Sequence, residues 1–180
     1  DDERERSALL EAACVKYTRA ITYCPVHADA WNNYGNALVK FSELHDGIMK
    51  LRLLRSASRA HKRSSQLEPT NFEPYANRAN TLAQVADRIA PARAVKLLAG
   101  ASALMQNAHS LNAADAGVLR SWGHILLKLA VVYGQSGSNK RGVQLLEEAL
   151  ERFDKAGSDD DAGVVTGLLQ RFRALGIDAT

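Results

Sequence analysis

Aromatic residues are scarce in this 180-residue chain, at 6%, although 46% of it is hydrophobic. The apolar content is therefore mostly alanine and leucine, the strongest helix formers of their class; a sheet protein draws more on valine, isoleucine and aromatics. Only four prolines and 24% charged residues are present, which argues against a disordered chain. The two cysteines, Cys14 and Cys24, lack C-x-x-C spacing. A disulfide framework and a zinc site are both disfavoured, and the two read as small core fillers. No Asn-x-Ser/Thr glycosylation acceptor occurs. Together these absences predict an intracellular, reducing compartment, cytoplasmic or organellar, the mitochondrion included. No apolar run approaches the ~18 residues that span a bilayer. The chain starts Asp1-Asp2-Glu3-Arg4 without methionine, as a processed or truncated product does, which leaves open the loss of an anchor or targeting segment from either end. A net charge of +3 is mild and does not by itself point to nucleic acid.

Catalytic patterns are missing too. The five histidines, His27, His45, His61, His109 and His124, form no H-E-x-x-H and no i,i+4 ligand pair. The stretch 134–140 resembles a phosphate loop only superficially; it lacks the G-x-x-x-x-G-K-[ST] spacing and a preceding strand, and reads as a flexible connector. Asp159-Asp160-Asp161 suits a helix start, where the dipole favours acids, better than an acid–base pair. Neither cysteine has an activating neighbour in sequence. The expectation is no enzyme, no metal and no cofactor.

What is present is repetition. Trp31, Tyr75 and Leu119 succeed one another at steps of 44 residues, as do Gly35, Ala79 and Gly123, and Leu38, Leu82 and Leu126. Small residues let helix axes approach and large ones fill the space beside them. Punctuation by Pro25, Pro69, Pro91, Asp115 and the Gly134–Asn139 loop places helices at about 5–22, 28–43, 47–66, 72–87, 91–110, 116–134, 140–154 and 159–174. Inward faces are expected to be Ala94, Leu97, Ala101, Leu104 and Ala108 on the fifth, and Val143, Leu146, Ala149, Leu150 and Phe153 on the seventh. Val164, Leu168, Phe172 and Leu175 on the eighth should close the stack, with Ser158 and Asp161 at its cap. The expected fold is all-α, an α-α superhelix of about eight antiparallel helices with a continuous core. It forms one domain over 1–180, with repeat units at about 28–71, 72–115 and 116–154 and flanking helices at 5–22 and 159–174.

The stretch Tyr17 … Ala20 … Pro25 … Trp31 … Leu38, with its echoes Pro69 … Tyr75 … Ala79 … Leu82 and Leu119 … Gly123 … Leu126, resembles the junction of tetratricopeptide repeats. The resemblance spans roughly 8–155. It departs in length, since ordinary repeats run ~34 residues; helices longer by one or two turns would absorb the excess. Long-helix variants occur in kinesin light chains and in the plant-type presequence receptor of the mitochondrial outer membrane, whose first repeat the run 28–44 resembles more weakly.

The resemblance implies a concave surface lined by the first helix of each pair. There Asn36, Asn80 and His124 share the 44-residue step, and Asn32, Asn77 and Arg120 project nearby. Asn offers donor and acceptor together and suits a peptide backbone of any sequence. The family's clamp for chaperone C-termini needs cations, but Asn32, Gly117 and Ser121 stand at their places, so a carboxylate would lose its charge-assisted bonds. On the third helix Arg52, Arg55, Arg59, Lys62 and Arg63 form a basic stripe over about a third of the circumference, expected on the convex side. A solvated face or an acidic partner surface accounts for it; nucleic acid is disfavoured because no aromatics interleave for stacking. Three functional readings stand side by side. One is a scaffold binding a partner protein or peptide in the concave groove. Another is a structural subunit of a large multiprotein complex, an organellar one included. The third is a presequence import receptor, which would need an apolar groove for a basic amphipathic helix.

Overall fold

The computed structural model describes residues 2–174, which form eight α-helices and no strand. They are α1 (Asp2–Tyr23), α2 (Ala28–Glu43), α3 (Gly47–Leu67), α4 (Glu73–Ala86), α5 (Pro91–Leu111), α6 (Ala116–Gln135), α7 (Asn139–Ala156) and α8 (Asp159–Ala174). The fold is the all-helical stack that the repetition predicts.

The ends have local causes. Asp115 caps α6 by accepting from the Val118 amide at 2.8 Å, and His27 accepts more weakly from Ala30 at 3.4 Å. Pro74 and Pro91 sit in the first turns of α4 and α5, where the missing N–H costs nothing. Gly157, at φ 64°, closes α7; the Ser158 amide then reaches back to the Phe153 carbonyl at 2.9 Å. The excess over an ordinary repeat is absorbed in the 21-residue helices α3 and α5, against 16 and 14 residues for α2 and α4.

Consecutive helices pack antiparallel, and α2 also touches α4, as α4 touches α6. Helices α3 and α5 meet chiefly through α4 between them. The even-numbered helices thus line the inner side of the curve and the odd-numbered ones the outer. Equivalent positions make equivalent bonds: the Trp31 indole donates to the Pro25 carbonyl at 2.9 Å, and the Tyr75 hydroxyl to the Pro69 carbonyl at 3.3 Å. Gly35, Ala79 and Gly123 are all buried in the middle of α2, α4 and α6. A methyl on Gly35 would lie 2.4 Å from the His61 ring of α3, and one on Gly123 2.7 Å from the Phe153 ring of α7.

Several details differ from the sequence expectation. The main apolar core runs from Ala79 in α4 to Leu169 in α8 and does not include Ile21, Leu38, Leu54 or Ala57 at the other end. Across α2, α3 and α4 the buried residues are mixed, the polar Asn32, His61, Ser64, Ser65 and Thr81 standing beside the apolar Leu54, Ala57, Ala60 and Val85, so the core is not one unbroken apolar seam. On α5 the innermost side chains are Leu98 and Met105, with Leu97 and Leu104 half-buried. On α8, Val165 and Leu169 are buried while Val164 is exposed. In each case two apolar residues stand side by side, and a 3.6-residue period admits either. Leu175 lies outside the described residues. Cys24 is no core filler: it sits beyond the end of α1 and is exposed, while Cys14 is half-buried and both are free thiols. Burial, then the charge of Glu11, raises the Cys14 thiol pKa.

Candidate functional site

Successive even-numbered helices leave three concavities along the inner surface. The first, about 430 Å³ between α2 and α4, is lined by Asn36, Lys40, Asn77, Asn80 and Gln84, with His61 of α3 at its floor. The second, about 380 Å³, shares Asn77 and Asn80 and adds the apolar Phe72 and Val118 with Asp115 and Ser121 toward α6. The third, about 510 Å³ between α6 and α8, holds Arg120, His124 and Asp161.

Asn32 does not face this surface. It is only 6% exposed and lies beneath it, where its Oδ1 accepts from Asn77 Nδ2 at 3.1 Å and stands 3.2 Å from His61 Nδ1. Three helices are tied through one oxygen, and Asn77 is held in place with its own carbonyl oxygen left for other partners. Because an amide oxygen only accepts, the His61 ring proton belongs on Nδ1. Nε2 is then a bare acceptor, buried and without a partner. Burial, and after it the positive charge of Arg78, lowers the His61 pKa to about 4, so the ring is neutral at pH 7. Sequence reading passes His61 over among five unremarkable histidines. The signal is its place in the buried series Leu54, Ala57, His61, Ser64, where a ring with two nitrogens interrupts small and apolar residues.

Asn36, Asn77 and Asn80 do converge on one concavity, and Asn77 and Asn80 carry on into the next. Arg120 and His124 are set apart from them. Both approach Asp161 Oδ2, at 3.5 and 3.6 Å, and Arg120 Nε also donates to Ser158 Oγ at 3.3 Å. The Ser158 hydroxyl donates to the same Asp161 oxygen rather than capping α8 alone. Asp161 comes from α8, whose approach to α6 the 44-residue step did not reveal. The second concavity has Glu73 and Asp115 on its wall and no cation, so a carboxylate finds no charged donor there.

On the outer side Arg52, Arg55, Arg59, Lys62 and Arg63 are all exposed. Among the described residues none of them forms an ion pair. Arg59 donates to Ser56 Oγ at 3.1 Å, within its own helix. Also among the described residues, no three of His, Cys, Asp and Glu stand together as a metal site, and no helix is long and apolar enough to cross a membrane.

No protein-family model and no curated protein matches the sequence. Solved structures do share its fold. BtubC (BKLC) from P. vanneervenii is 17% identical with a TM-score of 0.66, over 99% of this chain and 68% of that one. MamA is 14% identical with a TM-score of 0.52, over 98% of this chain and 96% of its own. TTC0263, a thermophilic TPR protein in Thermus thermophilus, is 16% identical with a TM-score of 0.52, over 94% and 87%. At these identities the likeness is one of fold: the chain folds as a tetratricopeptide-like helical repeat.

Proposed function

We propose that the chain is a protein-interaction scaffold that holds an extended segment of a partner protein along the inner surface of α2, α4 and α6. The observation that carries this reading is the convergence of Asn36, Asn77 and Asn80 on one open concavity, with Gln84 beside them. Carboxamides present donors and acceptors in pairs, as a peptide backbone does, and demand no particular side chain. Asn77 is pre-oriented by its bond to Asn32, which reduces the ordering cost of binding. A presequence-like basic amphipathic helix would find little apolar footing in the first concavity, where among the described residues Val39 is the only large apolar lining side chain, and would have to seat on Phe72 and Val118 of the second.

The test is to place a photo-crosslinking residue at Lys40, identify the captured protein from cells that make this chain, and measure its affinity directly. Asn36→Ala with Asn80→Ala removes at least one amide hydrogen bond at each position, each worth about 0.5–1.5 kcal/mol net, so the affinity should fall about fivefold or more. Undiminished affinity in the double variant rules the groove out.

A second reading, a permanent subunit of a larger assembly, is favoured by α1. It packs chiefly on α2 and leaves Leu9 65% and Val15 49% exposed, with Tyr23 and Val26 exposed beyond. Gel filtration of native extract separates the two: a subunit elutes only with its complex, whereas a groove reader is recovered free as well.

A further inference from the structure

On the outer side, α3 and α5 flank a trough about 370 Å³ in volume, open along its length. Its floor is apolar, made by Leu82 and Val85 of α4, Ile89 just after it and Leu97 of α5. Its rim is basic on both sides, with Arg55 from α3 and Arg93 and Lys96 from α5. Leu82 and Val85 repeat the spacing of Asn77 and Asn80 five residues on, about 140° around the α4 axis. The trough therefore backs onto the other side of the helix that supplies the Asn surface.

Two features call for an occupant of one kind. Leu97 and Leu82 remain half-buried in a trough that nothing among the described residues fills. The rim cations find no carboxylate among the described residues; the nearby acid Asp87 pairs instead with Lys128 of α6. Continuing the rim along α3, Arg52 and Arg59 extend the positive field past the trough. An apolar floor between two cationic edges is the complement of a helix with one apolar stripe and acidic flanks, and a helix laid in a groove engages by such i, i+3, i+4 anchors. A nucleic-acid backbone would meet the cations but leave the floor uncovered, and a flat membrane surface cannot reach a recessed floor.

We propose that this outer trough docks an acidic amphipathic helix of a partner protein, its apolar side chains seated on Leu82, Ile89 and Leu97 above the buried Val85 and its carboxylates paired with Arg55, Arg93 and Lys96. The site is independent of the inner Asn surface, so one chain can hold two partner segments on opposite faces of α4.

Three fluorescent 18-residue peptides test it by anisotropy against the whole chain. One carries leucine at helical a and d positions with glutamate elsewhere, a second has the same composition scrambled, and a third replaces glutamate by lysine. The first should bind. Binding should weaken at least tenfold for the scrambled peptide, for Arg55→Glu/Arg93→Glu/Lys96→Glu, and for Leu97→Gln, which keeps the surface charge. The triple charge reversal should instead gain affinity for the lysine peptide. Asn36→Ala/Asn80→Ala should leave the first peptide's binding unchanged, so failure of the inner groove and of the outer trough are read separately. The proposal is overturned if the glutamate peptide does not bind or the scrambled peptide binds equally. It is equally overturned if the triple variant binds as before, or if oligo-dT or phosphatidylserine vesicles compete the peptide off through the same three cations.

Discussion

Replacing Gly35 with alanine sets two effects of opposite sign against each other. In the interior of α2 alanine is favoured over glycine by about 1 kcal/mol through backbone entropy. The new methyl, however, would stand 2.4 Å from Cε1 and 2.6 Å from Nδ1 of His61. The ring is fully buried and its Nδ1 is engaged by Asn32, so it cannot turn aside without breaking that bond. Overpacking of this kind costs about 1–3 kcal/mol, so Gly35→Ala should destabilise the chain by up to ~2 kcal/mol net. The same substitution in a His61→Ala background has room, and there it should stabilise by up to ~1 kcal/mol. Urea denaturation at pH 7.5 of the four proteins in this cycle measures a coupling of about 1–3 kcal/mol, in the range of residues in direct contact. Gly100→Ala, whose methyl meets nothing within 4 Å, serves as the reference for propensity alone and should stabilise by ~1 kcal/mol. If Gly35→Ala stabilises the wild-type chain as much as Gly100→Ala does, the close approach of α2 to α3 at His61 is wrong, and with it the account of the Asn32 cluster.

Acid should act on the same ring. The folded His61 pKa lies at about 4 and an unfolded histidine titrates near 6.5, so the unfolded chain takes the proton first and stability falls as pH drops from about 6.5 toward 4. The loss attributable to His61 should reach ~2 kcal/mol at pH 5, read as the difference in urea stability between pH 7.5 and 5, and should be absent from His61→Gln. Asp115→Ala removes the α6 cap and should cost about 1 kcal/mol, while Asp115→Asn, which keeps an acceptor, should cost less; equal losses would discount the cap. Phe153→Ala empties a fully buried site against Gly123 and should cost about 3–5 kcal/mol, and a loss below ~1 kcal/mol would show that α6 and α7 do not pack there. Hydrogen exchange should be faster for α2 amides than for α6 amides, because α6 lies within the main apolar core and α2 lies outside it; uniform protection contradicts that ordering.

The helices were legible because their ends are written locally. Pro25, Pro69, Pro91 and Asp115 each stop or start a helix by a mechanism that needs no knowledge of the rest of the chain. The 44-residue step was legible because close approach needs a small residue: Gly35 and Gly123 each sit against a ring of the next helix, and no larger side chain fits. Choices between adjacent apolar residues were not legible. Leu97 and Leu98 satisfy the same period, and only the position of α4 sends Leu98 into the core and leaves Leu97 on the outer trough. The pairing of Arg120 and His124 with Asp161 was hidden for another reason, since it joins helices of different repeats through a residue about forty positions away.

The asparagines show why a repeat of polar residues is ambiguous in sequence and resolves in space. Asn32 and Asn36 are one helical turn apart on α2, yet the first is sealed under the surface and the second lines the concavity. The difference lies in what α3 and α4 place beside them. His61 and Asn77 both converge on Asn32, so the buried carboxamide is compensated and can be tolerated. Around Asn36 no such partners converge among the described residues. The polar cluster shared by α2, α3 and α4 therefore does two things with the same residue type. It joins the first repeat to the second by hydrogen bonds where the apolar core does not reach, and it fixes Asn77 with its remaining valences toward the open side. Replacing Asn32 by leucine would leave His61 and Asn77 without their shared acceptor, and the surface above would lose its orientation before it lost any residue that touches a partner.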